Sequence, residues 1–411
     1  MSINTGDTAW LLISAALVLL MTPALGLFYG GMVRRKNVLS TIMMSFAVLA
    51  LVSVLWVLFG YSLSFGPDIN GLIGGLQWLG LREVGQAPSS TYATTVPHLA
   101  FATFQATFAI ITVALITGTV VERIKFGALL LLATLWMTLV YCPVAHWVWG
   151  SGGWLARLGA LDFAGGTVVH VNAGISALAL ALLLGPRRGF KEQETMEPNN
   201  IPMVVTGAAL LWFGWFGFNA GSALSAGGLA ANAFVTTNVS AASATLAWMF
   251  LSWADRRPSV LGAATGAVVG LVAITPAAGF VQPWAGIPIG AIASILSYYT
   301  MLWRMKSRRV DDSLDVFACH GVGGIWGALA TGIFATTAVN SAGAGLIDGN
   351  LIQVPIQVLA IIVTAAFAFV MTWLLAKLVD VTVGLRVTPD EESVGLDISQ
   401  HGERAYGGLL R

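Results

Sequence analysis

The strongest constraint in this sequence is a succession of long apolar runs, each bounded by charged residues or by proline- and asparagine-rich breaks. A helix rises about 1.5 Å per residue, so roughly 20 apolar residues cross the hydrocarbon core of a bilayer. Eleven segments meet that requirement: 8–31, 38–64, 98–121, 126–149, 163–185, 201–220, 228–253, 259–281, 284–303, 313–336 and 353–381. The first is read as a retained span, because the leader MSINTGD has no Lys or Arg and the run outlasts a signal-peptide core. Of 411 residues, 57% are hydrophobic and 9% charged, against about 25% charged in soluble domains. That excludes a soluble enzyme. Twenty basic and nineteen acidic residues leave a net charge of +1, so no basic surface exists for nucleic acid. Cys142 and Cys319 lie inside apolar runs and supply neither a disulfide framework nor a metal cluster.

Lys and Arg collect in short cytoplasmic loops. With the N-terminus outside, eighteen of the twenty basic residues fall in cytoplasmic segments, from Arg34, Arg35 and Lys36 to Arg386, Arg404 and Arg411 in the tail. Only Arg82 and Arg157 fall outside. The expected topology is N-out and C-in, in the cell (inner) membrane. It comprises a membrane domain over 1–383 and a cytoplasmic tail over 384–411, with one longer external segment at 65–97.

Ionisable residues inside membrane spans are costly and tend to face a functional cavity. His170 lies in the fifth span and His320 in the tenth. The interval of five helices suggests two inverted five-helix halves followed by an eleventh helix. His170 follows Asp162 by eight residues and His320 follows Asp312 by eight. Each imidazole then sits about 12 Å from its own end of the bundle, so the two approach one another in depth. No Cys, Asp or Glu stands at ligand spacing beside either histidine, which makes metal binding the weaker option. Asp162 and Asp315 near the starts of these helices read either as N-caps or, for Asp162, as a field on a nearby cation.

Aromatic residues form a second unusual set. Phe104 and Phe108 lie in the third span, Trp149 closes the fourth, and Trp215, Phe216 and Phe218 lie in the sixth. Ser222 follows Phe218 at helical spacing. Aromatic faces with one hydroxyl can hold a small cation without a fixed countercharge.

Most of these residues sit in longer motifs: FYGGMVRRKNVLS (28–40), FQATFAIITVALITG with VERIKF (104–126), DFAGGTVVHVNAG (162–174), WFGFNAGSA (215–223), DVFACHGVGGIWG (315–327) and HGERAYGG (401–408). In this order they resemble the ammonium transporter (Amt/Mep/Rh) family, on its Amt side. The resemblance implies an all-α polytopic bundle of eleven helices with a pseudo-twofold repeat, assembled as a homotrimer with one pore per subunit. It implies an outer recruitment site at Trp149, Phe108 and Ser222, supported indirectly by Asp162. Phe108 and Phe218 would form the gate below it, Trp215 the pore wall, and His170 and His320 the twin histidines. It also implies regulation by a PII-type protein on the cytoplasmic face, and no cofactor. One departure is ACH at 318–320, where Gly-Val commonly precedes the second histidine.

The chemistry is intelligible from the residues. Ammonium and potassium share size and charge, but only ammonium donates directed hydrogen bonds and can lose a proton. A cage attracts the cation, and the apolar passage below makes a desolvated charge expensive. Neutral ammonia can then hydrogen-bond to the imidazoles, which could also relay the released proton and make transport electrogenic. The expectation is uptake of ammonium as a nitrogen source. An ammonium sensor signalling through a cytoplasmic partner is the alternative.

Overall fold

The computed structural model describes residues 2–407 except Gln193 and Arg256; those two and the last four residues, Arg411 among them, lie outside the described residues. The membrane helices are α1 (Thr5–Met32), α2 (38–65), α3 (His98–Val120), α4 (126–149), α5 (Gly166–Leu184), α6 (Ile201–Gly221), α7 (Gly228–Asp255), α8 (Val260–Ile274), α9 (Gly286–Ser307), α10 (Phe317–Phe334) and α11 (Gln353–Val383). Ten of these are long and apolar enough to cross a bilayer. The eighth is shorter than the 259–281 run suggests: its helix stops at Ile274 and Thr275–Phe280 continues as turns. Pro276 lacks the N–H that another helical turn needs. The break frees a loop beside the site described below.

The outer helices leave large apolar side chains on the outside of the bundle. Phe46, Val54, Phe250, Trp253, Trp303, Ile362 and Leu374 are all more than half exposed. In water such a belt would be an aggregation liability, whereas lipid makes it neutral. Inside the bundle, many hydroxyls donate to a carbonyl of their own helix, as where Thr112 donates to the Phe108 carbonyl at 2.6 Å. The histidine helices α5 and α10 cross at Gly174 and Gly321, where a Cβ on Gly174 would lie 2.1 Å from the Gly321 nitrogen. Both helices open with a π-helical stretch carrying the histidine, Gly166–Val171 in α5 and Phe317–Val322 in α10.

At one end of the bundle, buried charges pair. Arg34 donates to Glu122 at 2.7 Å, Arg187 meets Asp311 at 2.9 Å, and Arg123 donates to the Asp311 carbonyl at 2.6 Å. The tail docks on this end and carries more structure than its polar composition suggests. It forms α12 (Pro389–Val394), opened by a capping box of Thr388 and Glu391, and α13 (Leu396–His401). Asn37 accepts from the Leu396 amide at 2.8 Å, and Asp397 accepts from the Ser40 amide at 2.8 Å. At the opposite end the 65–97 segment folds into two short antiparallel hairpins, Asp68–Ile69 with Ile73–Gly74 and Pro88–Ser89 with Ala93–Pro97.

Candidate functional site: an aromatic and histidine ladder

Side chains from five helices line up through the centre of the bundle. Trp149, at the end of α4, meets Phe108 of α3 edge-on with ring centres 5.8 Å apart. Phe108 meets Phe218 of α6 at 4.3 Å. Phe218 stacks on His170 of α5 at 6.1 Å, and His170 stacks on His320 of α10 at 5.2 Å. The two imidazoles are buried and share a hydrogen bond, Nδ1 to Nδ1, at 3.2 Å. A shared Nδ1 contact between neutral rings requires one donor and one acceptor, so the two rings hold opposite tautomers. His170 Nε2 is buried and has no protein partner. The passage here is otherwise apolar, walled by Leu25, Phe28, Ile111 and Leu115, and its free space of ≈10 Å³ admits about one water-sized molecule.

Above Phe108 a vestibule of ≈340 Å³ opens, lined by Trp149, Asp162, Ser222, Tyr92 and Gln105 among others. The Trp149 indole donates to the Asp162 carbonyl at 2.9 Å, which fixes the ring plane. The Asp162 carboxylate is occupied at the start of α5, accepting from the amides of Gly165, Gly166, Thr167 and Val168 at 2.6 to 3.2 Å. It caps that helix, and Asp162 also lines the vestibule. Ser222 donates to the Phe218 carbonyl at 2.9 Å, leaving its oxygen lone pairs for a donor. Trp215 lies beside His170 at 5.6 Å, with its indole N–H on the Thr275 hydroxyl at 2.9 Å. On the far side of the histidines a cavity of ≈500 Å³ leads toward the paired charges, lined by Phe28, Asp315, Arg304 and Cys319 among others.

All eight expected site residues therefore lie along one path. Two neighbours do not belong to it as read from the sequence. Phe216 turns away and stacks on Phe234 at 3.9 Å, and Phe104 packs behind Phe108 at 4.9 Å. Asp315 is not the cap of α10: its backbone is left-handed (φ 56) and its carboxylate pairs with Arg304 at 2.5 and 3.0 Å. Asp312 caps instead, accepting from the Phe317 amide at 2.7 Å. Sequence reasoning missed Gln105, whose buried Oε1 lacks a partner and borders the vestibule. Its position three residues before Phe108, on the same helix face, was the available signal. Among the described residues no three His, Cys, Asp or Glu converge to hold a metal.

The model of the Ammonium Transporter Family matches residues 9–406. An ammonium transporter of Bacillus subtilis is 52% identical over 98% of this chain and 98% of its own length. The ammonium transporter Amt1 of Archaeoglobus fulgidus is 51% identical over 98% of this chain and its full length. Among solved structures, Saccharomyces cerevisiae Mep2 superposes with a TM-score of 0.89 at 36% identity, covering 94% of this chain and 88% of Mep2. The solved Sensor Amt Protein matches with a TM-score of 0.89 at 30% identity, covering 96% of this chain and 98% of its own. The ladder thus sits in a multi-pass membrane transporter rather than an enzyme, and the chain is a member of the ammonium transporter family.

Proposed function

We propose that this chain admits ammonium at the Trp149 end, takes its proton there, and passes ammonia between the rings to the opposite end. The observation that carries the reading is the unbroken ladder Trp149–Phe108–Phe218–His170–His320, with no step between ring centres longer than 6.1 Å. Aromatic faces attract a cation at its top, and the Ser222 and Gln105 oxygens offer acceptors that an ammonium N–H can use and potassium cannot. Below Phe108 and Phe218 the apolar wall raises the cost of a bare charge, so the neutral molecule crosses. His170 and His320, in opposite tautomers, then offer it one acceptor and one donor and supply a relay for the proton, giving net charge movement.

The proposed location is the cell (inner) membrane, and the Lys and Arg distribution supports an orientation with the Trp149 end outside and the charged end with the tail in the cytoplasm. The assembly is proposed to be a homotrimer with one such path per subunit. A PII-type protein is the proposed cytoplasmic regulator, seated where the tail docks on Lys36–Ser40 and Arg188.

A sensing role is the second reading, favoured by the likeness to the solved Sensor Amt Protein and by a tail bonded to the inner loops. The test is current from purified protein in liposomes, with ammonium and then potassium as the sole permeant cation. A sustained current with ammonium alone supports transport. Substrate binding without current transfers the site to sensing.

A further inference from the structure

The eleventh helix stands outside the two five-helix repeats, and the ladder uses none of its side chains. One of its residues nevertheless reaches the recruitment end. Gln357 is 1% exposed and saturated with hydrogen bonds. Its Oε1 accepts from the Leu161 amide at 2.8 Å, and its Nε2 donates to the Leu161 carbonyl at 2.8 Å and to the Ala328 carbonyl at 3.0 Å. Gln353, one turn earlier, adds a bond to Gln357 Oε1 at 3.3 Å and another to the Gly159 carbonyl at 2.9 Å. A carboxamide has two donors and two good acceptor positions, and all four are used.

Leu161 immediately precedes Asp162, whose carbonyl holds the Trp149 indole. On the other flank, the Phe163 amide donates to the carbonyl of Pro276 at 3.1 Å, in the loop freed by the break after α8. Residues 161–163 are irregular backbone with no helix ladder of their own. Their position is therefore set by these outside partners, and the Gln357 carboxamide clamps both polar groups of one residue. It also ties that segment, which belongs to the first half, to α10 in the second half through Ala328.

We propose that Gln357 is a positioning residue for cation recruitment: its carboxamide sets the backbone at Leu161–Asp162 and so the pose of the Trp149 ring. This rests on the reading of Trp149 as the recruitment site. The eleventh helix then has a role in substrate affinity although it touches no substrate. Purely structural support would instead lower stability and maximal rate together.

The test is a double-mutant cycle on ammonium currents of the full-length protein in liposomes. Gln357→Met keeps length and apolar bulk while removing every bond of the carboxamide. Half-saturating ammonium should rise about two- to tenfold, the scale of one net hydrogen bond, while maximal current stays within about twofold and potassium remains excluded. In a Trp149→Leu background the same substitution should add less than about twofold, because the ring it positions is gone. If Gln357→Met does not insert, Gln357→Leu serves, since it too is uncharged and removes both donors and both acceptor positions. Unchanged half-saturation, a fall in maximal current alone, or full multiplicativity with Trp149→Leu would overturn the proposal while leaving the recruitment site standing. Failure of Trp149→Leu itself to raise half-saturation would remove the recruitment reading, and the proposal with it.

Discussion

Replacing Trp149 by leucine keeps apolar surface at the top of the ladder and removes the ring quadrupole. A cation–π contact contributes about 0.5–2 kcal/mol, so half-saturating ammonium should rise about two- to thirtyfold in concentration-dependent currents, with the protein still folded. An unchanged value would show that the ring is an interfacial anchor only. Gln105→Leu removes an acceptor whose partner is missing, and the expected result is weaker ammonium binding with no loss of thermal stability. At this scale the placement of these side chains was largely legible, because seven of the eight ladder and cage residues, all but Trp149, sit in extended motifs whose order is itself informative. The errors came from direction. Successive helical residues are 100° apart, so Trp215 and Phe218 share a face while Phe216 points elsewhere and finds Phe234. The sequence reading gave the cap of α10 to Asp315, and the left-handed turn there leaves the cap to Asp312 instead.

The helices themselves were readable because length and apolarity are properties of single segments, whereas the breaks depend on what packs where. Neither the stop of α8 at Ile274 nor the π-helical openings of α5 and α10 has a signature in hydropathy. The histidine contact rests on the crossing of those two helices at Gly174 and Gly321. Gly174→Ala would place a methyl group 2.1 Å from the Gly321 nitrogen, so the helices must separate, at a cost of about 1–3 kcal/mol. The expected outcome is a lower melting temperature together with a loss of ammonium current, since His170 and His320 part. Loop pairing at the charged end gives a pH prediction. Burial pushes Glu122 and Asp311 upward, yet Arg187 with Arg34 beside Glu122, and Arg187 with Arg123 beside Asp311, hold both below the usual carboxylate range. A depressed carboxylate contributes stability that is present at neutral pH and lost as pH falls through its folded value. Glu122→Gln should therefore destabilise the protein at pH 7 by about 3–5 kcal/mol. The gap from the parent should close on acidification below the carboxylate range, as followed by thermal unfolding in detergent.

For the whole molecule, the path and the tail belong to one body. The tail begins by pairing with the loop after α3, where the Lys125 amide donates to the Leu385 carbonyl and the Val387 amide to the Arg123 carbonyl, both at 3.0 Å. It continues onto Lys36–Ser40 and Arg188, and ends with Tyr406 donating to Asn199 at 2.6 Å. Its polar composition gave little hint of this, since most of its bonds are to backbone and to loops distant in sequence. Deleting residues 388–411 should change flux or partner binding while assembly, measured by light scattering, stays intact; loss of assembly would make the tail structural. Whether His170 and His320 stand in the conducting path is decided by His320→Glu. A carboxylate there stabilises any small cation, including one with no proton to give up. In liposome recordings of the stable, inserted variant, potassium current should appear or rise relative to ammonium. Wild-type selectivity in that same protein would contradict the placement of the histidines in the pathway.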